Sequence, residues 1–362
     1  MEKIATFGEI MARLEPEGLL RFIQRPSKLN ISFAGAEANV AASIAIMGGS
    51  SKFISALPKH DIANACMHQL NSIGVDIKHV KQMDKGRLGL YFVETGANQR
   101  PSKVIYDREY STISLCKPND FDWDIAFENC KWFHISGITP ALSERAAETS
   151  LEAVKQAKNK GITVSCDLNF RKNLWNWDNA LAPKELARKV MKNILNYTDV
   201  LIGNEEDAAD VLGIFPENTD VNKGILDIKK YLDVAKKISE GYPAIKKIAI
   251  TLRQSFSASH NDWGAMLYDI KKGKAFYAPE FNGEYHPYEI KNIVDRVGGG
   301  DSFAAGLIFA LTTDGLDDCQ SAIQYAVAAS CLAHSIVNDF NYSTRSEVEA
   351  LMNGNASGRV VR

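Results

Sequence analysis

Cysteine is scarce and scattered. Cys66, Cys116, Cys130, Cys166, Cys319 and Cys331 form no C-x-x-C pair, and several sit in apolar runs such as VSCDLNF and AASCLA. This argues against a disulfide framework and predicts reduced, buried thiols in a cytoplasmic protein. The seven histidines are dispersed without metal-ligand spacing, so no zinc site is expected. An excess of one charge is missing too: 42 Lys+Arg against 44 Asp+Glu leave a net charge of −2. No basic block offers a footprint for nucleic acid or for a membrane surface. No apolar run is long enough to span a bilayer. The opening MEKIATFGEIMARL lacks the apolar core of a signal peptide, because Gly8 and Glu9 interrupt it, and it reads as a first strand.

What is present is a long alternation. Hydrophobic residues make up 45% of 362, enough to bury a sizeable core, and no linker, repeat or low-complexity stretch divides the chain, so residues 1–362 read as one unit. KIATFGEI, SKFISAL, KWFHISGI, ITVSCDLNF, DVLIGN and KKIAITL read as strands. Helices are expected over 39–47, 62–73, 143–159, 183–195, 205–213 and 228–238. Strands alternating with helices imply an α/β fold with a mostly parallel sheet covered on both faces. Two stretches break the pattern. RFIQ and NISFAG, near 20–34, read as extended pieces with no helix between them. LGLYFVE and SKVIYDRE read as a hairpin around TGANQRP, and these pieces can form a small separate sheet. FPENTDVNKG, 215–224, reads as a polar surface loop.

The most specific segment is DRVGGGDSFAAGLIFAL, 295–311. Phe303 and Leu307 fall at helical spacing, which places Gly298, Gly299 and Gly300 at a helix N-terminus. Bare backbone amides there, with the helix dipole, make an anion cradle. Asp301 lies in the same turn, and the positive helix end is expected to keep it ionised. An anion cradle beside a carboxylate suits phosphoryl transfer to an alcohol: amides stabilise the moving charge and the carboxylate takes the hydroxyl proton. The plainer reading of GGGD alone is a loop with a helix cap. No GK[ST] follows, so it is not a P-loop, and G-x-G-x-x-G is not matched. A second segment, FAGAEANVAASIAIMGG at 33–49, places a Gly35 turn before an Ala-rich helix with Asn39 near its start.

Together AGAEAN and DRVGGGDSFAAG resemble the two signatures of the PfkB (ribokinase-like) carbohydrate kinases, with Gly299 standing where that family usually has Ala. The resemblance implies an αβα sandwich with a small β lid from about 12–33 and 87–115, a homodimer joined through the lids, ATP and Mg²⁺, and room for a monovalent cation. FAGAEANVA, VIYDRE, HISGITPAL, DLNFRKNLW, NEED and NDFN further resemble a branch that phosphorylates the 6-hydroxyl of the sugar acid 2-keto-3-deoxygluconate. On that resemblance Asp301 is the base, Gly298 to Gly300 are the anion hole, and Gly35, Tyr91, Tyr106, Arg108, Arg171 and Asp339 are sugar-binding positions.

Arg108 beside two tyrosines also offers a fork for a carboxylate, although a strand arginine paired with Asp107, Glu109 or another surface acid is the plainer reading. In NEED, Asn204 and Asp207 resemble an N-x-x-E element that organises Mg²⁺ through water. Asp207 is shorter than Glu, Glu206 can substitute, and an Asn cap followed by acids is itself a common helix start. Thr251 and Arg253 occupy the place of a T-x-G nucleotide strand, with Arg where Gly is usual. The expected partners are ATP and a sugar acid. The alternatives are a kinase of the same family for fructose, tagatose or ribose, and a catalytically silent sugar-binding regulator on the same fold.

Overall fold

The unbroken apolar runs become the inner strands of one large sheet in the computed structural model, which describes residues 2–215 and 228–355. In chain order the strands are β1 (Lys3–Phe7), β2 (Met11–Glu15), β3 (Asn30–Ala34), β4 (Ser51–Pro58), β5 (Val80–Met83), β6 (Leu90–Glu94), β7 (Lys103–Asp107), β8 (Cys130–Ser136), β9 (Thr163–Asp167), β10 (Val200–Gly203), β11 (Lys247–Ser257), β12 (His260–Asp269) and β13 (Lys274–Ala278). The large sheet runs β13-β12-β11-β10-β9-β8-β1-β4-β5, with Tyr288–Lys291 as a further strand beside β12. From β5 to β11 every pairing is parallel.

Side chains alternate across a strand, and here both faces are covered. In β10, Val200 and Ile202 enter one apolar core while Leu201 enters the other. β11 and β12 repeat this, with Ala249, Ala265 and Leu267 on one side and Ile248, Ile250 and Met266 on the other. The core that takes Leu201, Ile248 and Met266 is closed by Glu144–Asn159, Pro183–Leu195 and Ile228–Gly241; the core that takes Val200, Ala249 and Leu267 is closed by Ala36–Ile46, Gly299–Leu311, Cys319–Ala333 and Arg345–Met352. Each fully buried Val, Ile or Leu contributes roughly 1.5–3 kcal/mol. The layers are helix, sheet, helix, as the alternation predicts.

The small sheet is separate, in the order β3-β2-β6-β7. Its outer pairs are antiparallel, and β2 and β6 run parallel. Register sorts its residues into rows. Arg13, Tyr91 and Tyr106 lie abreast, and the next row is Ile31, Leu14, Phe92 and Ile105. Successive residues point to opposite faces, so the two rows face opposite ways.

Several expectations need correction. The alternation stops after β11: β12, β13 and Tyr288–Lys291 make an antiparallel edge, which hairpins can build without crossover helices. RFIQ is not extended, since Phe22–Gln24 is a 3₁₀ turn. The early helix begins at Ala36, placing Asn39 one turn inside it. The helix after Asn204 is α-helical only over Glu205–Asp207 and continues as a π-turn over Ala208–Leu212. The segment 215–224 lies, except for Phe215, outside the described residues.

Candidate active site

A cleft of about 520 Å³ opens along the carboxyl ends of β8 to β11 and runs under the inner face of the small sheet. Ligands of open α/β sheets bind at these strand ends. From β1 to β11 is four strand spacings, roughly 20 Å at about 4.8 Å each, long enough for two substrates end to end. Every position singled out in the sequence lines this one cleft, from Gly35, Tyr91, Tyr106 and Arg108 at the small-sheet end to Thr251 and Arg253 at the other.

The glycine turn sits between the ends. Gly298 caps the helix Gly299–Leu311 with φ 83°, a left-handed conformation that favours glycine. A Cβ there would also lie 2.4 Å from the carbonyl oxygen of Asp339. At Gly300 an added Cβ would meet nothing within 4 Å, so this backbone is open to the cleft. The first-turn amides of Gly299, Gly300 and Asp301 take no acceptor from the described residues. Three such donors at one helix end are free to receive an anion. Asp301 is the third residue of the helix. Its Oδ2 accepts a 2.6 Å hydrogen bond from Asn39 Nδ2, and Asn39 Oδ1 accepts from the Gly35 amide at 3.1 Å. The two distant glycine segments thus meet through one asparagine. Burial pushes the Asp301 carboxyl up to about 6, against the Asn39 hydrogen bond and Arg171. The helix end and local N–H donors were expected to keep it ionised; desolvation raises it all the same. A pKa of about 6 still leaves a carboxylate at neutral pH, with useful basicity.

At the small-sheet end Asp339 is buried and accepts 2.7 Å hydrogen bonds from Arg13 Nη1 and Tyr91 Oη. Arg13 was missed in the sequence. It has no solvent exposure and also bonds Glu15 Oε2 and Asp295 Oδ2 through Nη2, each at 2.6 Å. One guanidinium therefore ties β2 of the small sheet to the loop before the glycine turn and to the C-terminal segment. Burial raises the Asp339 pKa against the pull of Arg13. Arg108 is buried too, stacks 5.4 Å from the Tyr106 ring centroid, and pairs with Glu9, accepting partner of its Nε at 2.6 Å. Its expected partners differ: Asp107 pairs instead with Arg87. Gly35 is needed for close approach, because a Cβ would stand 2.0 Å from the Glu9 carbonyl oxygen.

Past the turn lies an acidic stretch. Asp207 accepts from the backbone of Phe170 and Asn204, while Asn204 Oδ1 accepts from the Asp207 amide at 2.8 Å. This is a reciprocal helix cap, so the plainer reading of NEED is realised inside the cleft. Burial pushes Asp207 up to about 6. Asp167, at the end of β9, is raised further by burial and by the nearby charges of Asp207 and Asp301. It sits in DLNF but was not singled out, and its place at a parallel-strand end was the signal available. Arg171 is exposed, its side chain bonds only the Phe170 carbonyl, at 2.9 Å, among the described residues, and it lowers the pKa of all three acids.

Among the described residues no group of three or more His, Cys, Asp or Glu forms a metal cage. Mg²⁺ takes most of its oxygens from water and phosphate. The exposed Glu206 and the Asp207 carboxylate on the cleft wall fit that manner of binding.

Residues 1–252 match the pfkB family of carbohydrate kinases. The crystal structure of 2-dehydro-3-deoxygluconokinase from Thermotoga maritima is 41% identical, covers 98% of this chain and 100% of its own, and superposes with a TM-score of 0.86. A 2-dehydro-3-deoxygalactonokinase from Haloferax volcanii is 28% identical over 98% of each chain. A fructokinase from Xylella fastidiosa with bound ATP, 20% identical with a TM-score of 0.74 over 98% of this chain and 99% of that one, shares the fold. With its glycine-turn helix, its layered sheet and these relatives, the chain belongs to the pfkB family of carbohydrate kinases and is a sugar kinase.

Proposed function

We infer that the protein transfers the γ-phosphoryl group of ATP to the 6-hydroxyl of 2-keto-3-deoxygluconate. The observation that carries this is Asp301, a carboxylate with a pKa of about 6 beside the unpaired amides of the glycine turn. In this reading the new bond joins the 6-oxygen to phosphorus, the bond from phosphorus to the β-phosphate oxygen breaks, and ADP leaves. Asp301 accepts the hydroxyl proton, late in a loose transition state. The amides of Gly299 and Gly300 take up charge on the moving phosphoryl group. Mg²⁺, held through water by Asp207 and Glu206, would offset charge on the phosphates. Arg171, which no acid among the described residues pairs, suits the transferred phosphate.

The sugar acid would lie under the small sheet, against Gly35, Tyr91, Tyr106, Arg108 and Asp339, with the sheet acting as a lid that excludes water. Glu9 engages part of the Arg108 guanidinium, and Nη1 has no partner among the described residues. That leaves a donor for the carboxylate. The names of the Thermotoga and Haloferax relatives support a keto-deoxy sugar acid over a neutral hexose. Those two substrates differ only at C4, so the proposal is tested by a screen. ADP release is measured with 2-keto-3-deoxygluconate, its galacto epimer, fructose, tagatose and ribose. Turnover of the gluco acid above all others supports it. Preference for a neutral sugar moves the assignment to that sugar, and no release with any makes the protein a silent binder.

A further inference from the structure

The β11 end of the cleft has a wall that the family resemblance does not explain. Thr251, Arg253 and Ser255 alternate along β11, and Asn261 and Trp263 face them from β12, so one face of this hairpin lines the cleft. Arg253 is exposed and has no hydrogen bond or ion pair with any described residue. Arg296, one residue before Val297 and the glycine turn, is held against the same hairpin: its Nη2 donates to the Ser257 carbonyl at 3.2 Å and to Asn261 Oδ1 at 3.0 Å. Among the described residues no acid pairs with it and its buried Nε has no acceptor, and burial together with Arg253 lowers its pKa. Asn261 and Trp263 are almost wholly buried, and Asn261 Nδ2 and Trp263 Nε1 are also without acceptors among the described residues.

The wall therefore holds two cations that no acid among the described residues offsets, and three buried donors, Arg296 Nε, Asn261 Nδ2 and Trp263 Nε1, without acceptors among those residues. Two neighbouring guanidinium groups repel each other unless an anion lies between them, and unpaired buried donors carry a desolvation cost. Acids dominate the middle of the cleft, at Asp167, Asp207 and Asp301, but not here. Arginine's planar fork matches phosphate oxygens.

We propose that Arg253 and Arg296 form a clamp for the phosphates that stay with the nucleotide after transfer. This rests on the nucleotide reading above and deepens it. Arg253, standing where the family usually has glycine, would then replace a backbone contact with a charged one. Arg296 would set the clamp's position, since it is already fixed by the hairpin. The wall should give the product diphosphate a firmer hold than a glycine strand can, and make nucleotide affinity depend on salt.

The test is calorimetric titration of the full chain with ATP, ADP, AMP and adenosine at two salt concentrations. Arg253→Ala and Arg253→Gln remove an exposed side chain that makes no hydrogen bond or ion pair with the described residues, and both should fold. Circular dichroism and melting temperature check this. Loss of one charged contact should weaken ADP and ATP by about 10–100-fold, leave adenosine within about twofold, and flatten the salt dependence. Arg296→Lys should weaken ADP in the same order while keeping the charge. Wild-type affinity for ADP in both Arg253 variants would overturn the clamp and leave the kinase reading standing. Equal weakening of adenosine and ADP would overturn it too, by placing the effect on the base or the fold. No binding of ATP or ADP by the wild-type chain would overturn the nucleotide reading and the clamp with it.

Discussion

Glu37 offers a test of the packing beneath the site. It lies in the first turn of the early helix, fully buried. Oε1 accepts from the Ser136 amide and hydroxyl at 3.1 and 2.7 Å and from Thr139 Oγ1 at 3.1 Å, whereas Oε2 has no hydrogen-bond partner among the described residues. Burial pushes its pKa from 4.5 up to about 7, against those hydrogen bonds. A raised acid pKa means the folded state binds the proton more tightly, so the stability is present at low pH and is lost as pH rises through about 7. A shift of that size corresponds to roughly 3 kcal/mol. Glu37→Gln imitates the protonated form at every pH. Urea denaturation of both proteins should give nearly equal stabilities at pH 4.5. By pH 8 the variant should be more stable by roughly 3 kcal/mol. Taking the difference cancels the other acids that titrate in the same window. A difference that stays flat with pH would refute the reasoning, because Glu37 would then be as solvated folded as unfolded.

Three further outcomes are expected. Arg108→Ala should raise KM for the sugar acid about 10–100-fold, the loss of about 1.5–3 kcal/mol of charged hydrogen bonding, with KM for ATP nearly unchanged; equal effects on both would remove Arg108 from the carboxylate. With Asp301 as base, kcat should climb as pH rises through about 6 and level off above, and a profile flat from pH 5 to 8 would count against a carboxylate of that pKa. The apolar row Ile31, Leu14, Phe92 and Ile105 has two members more than half exposed, which asks for cover, so light scattering at micromolar concentration should show a homodimer that Ile105→Lys dissociates; a monomeric wild-type chain would contradict this.

The sheet was legible because parallel strands buried on both faces leave continuous apolar runs, as DVLIG does, and because Pro183 and Ser143 mark helix starts. The antiparallel edge was not, since β12 opens on the polar His260, Asn261 and Asp262 before its apolar run, with no helix to frame it. The glycine turn was legible because three glycines before an acid leave few structural options. Arg13 was hidden: in MARLE it alternates like a solvent-facing residue, and two of its three acids come from positions 295 and 339. Asp301's raised pKa was hidden for the same reason. Burial depends on what the fold lays over a residue, and the local sequence shows only the helix end. Arg108 lines the cleft, while its partner Glu9, distant in sequence, could be found only in three dimensions.

The most direct measurement is the turnover of Asp301→Asn. The amide keeps the size and the place on the helix, and can still meet Asn39, so the fold should survive with ATP binding little changed. General-base catalysis is worth ~10²–10⁴-fold. The account predicts a fall in kcat of at least that range with both KM values within a few-fold and an unchanged melting temperature. Turnover within about tenfold of wild type would make Asp301 a helix-end residue and contradict the mechanism.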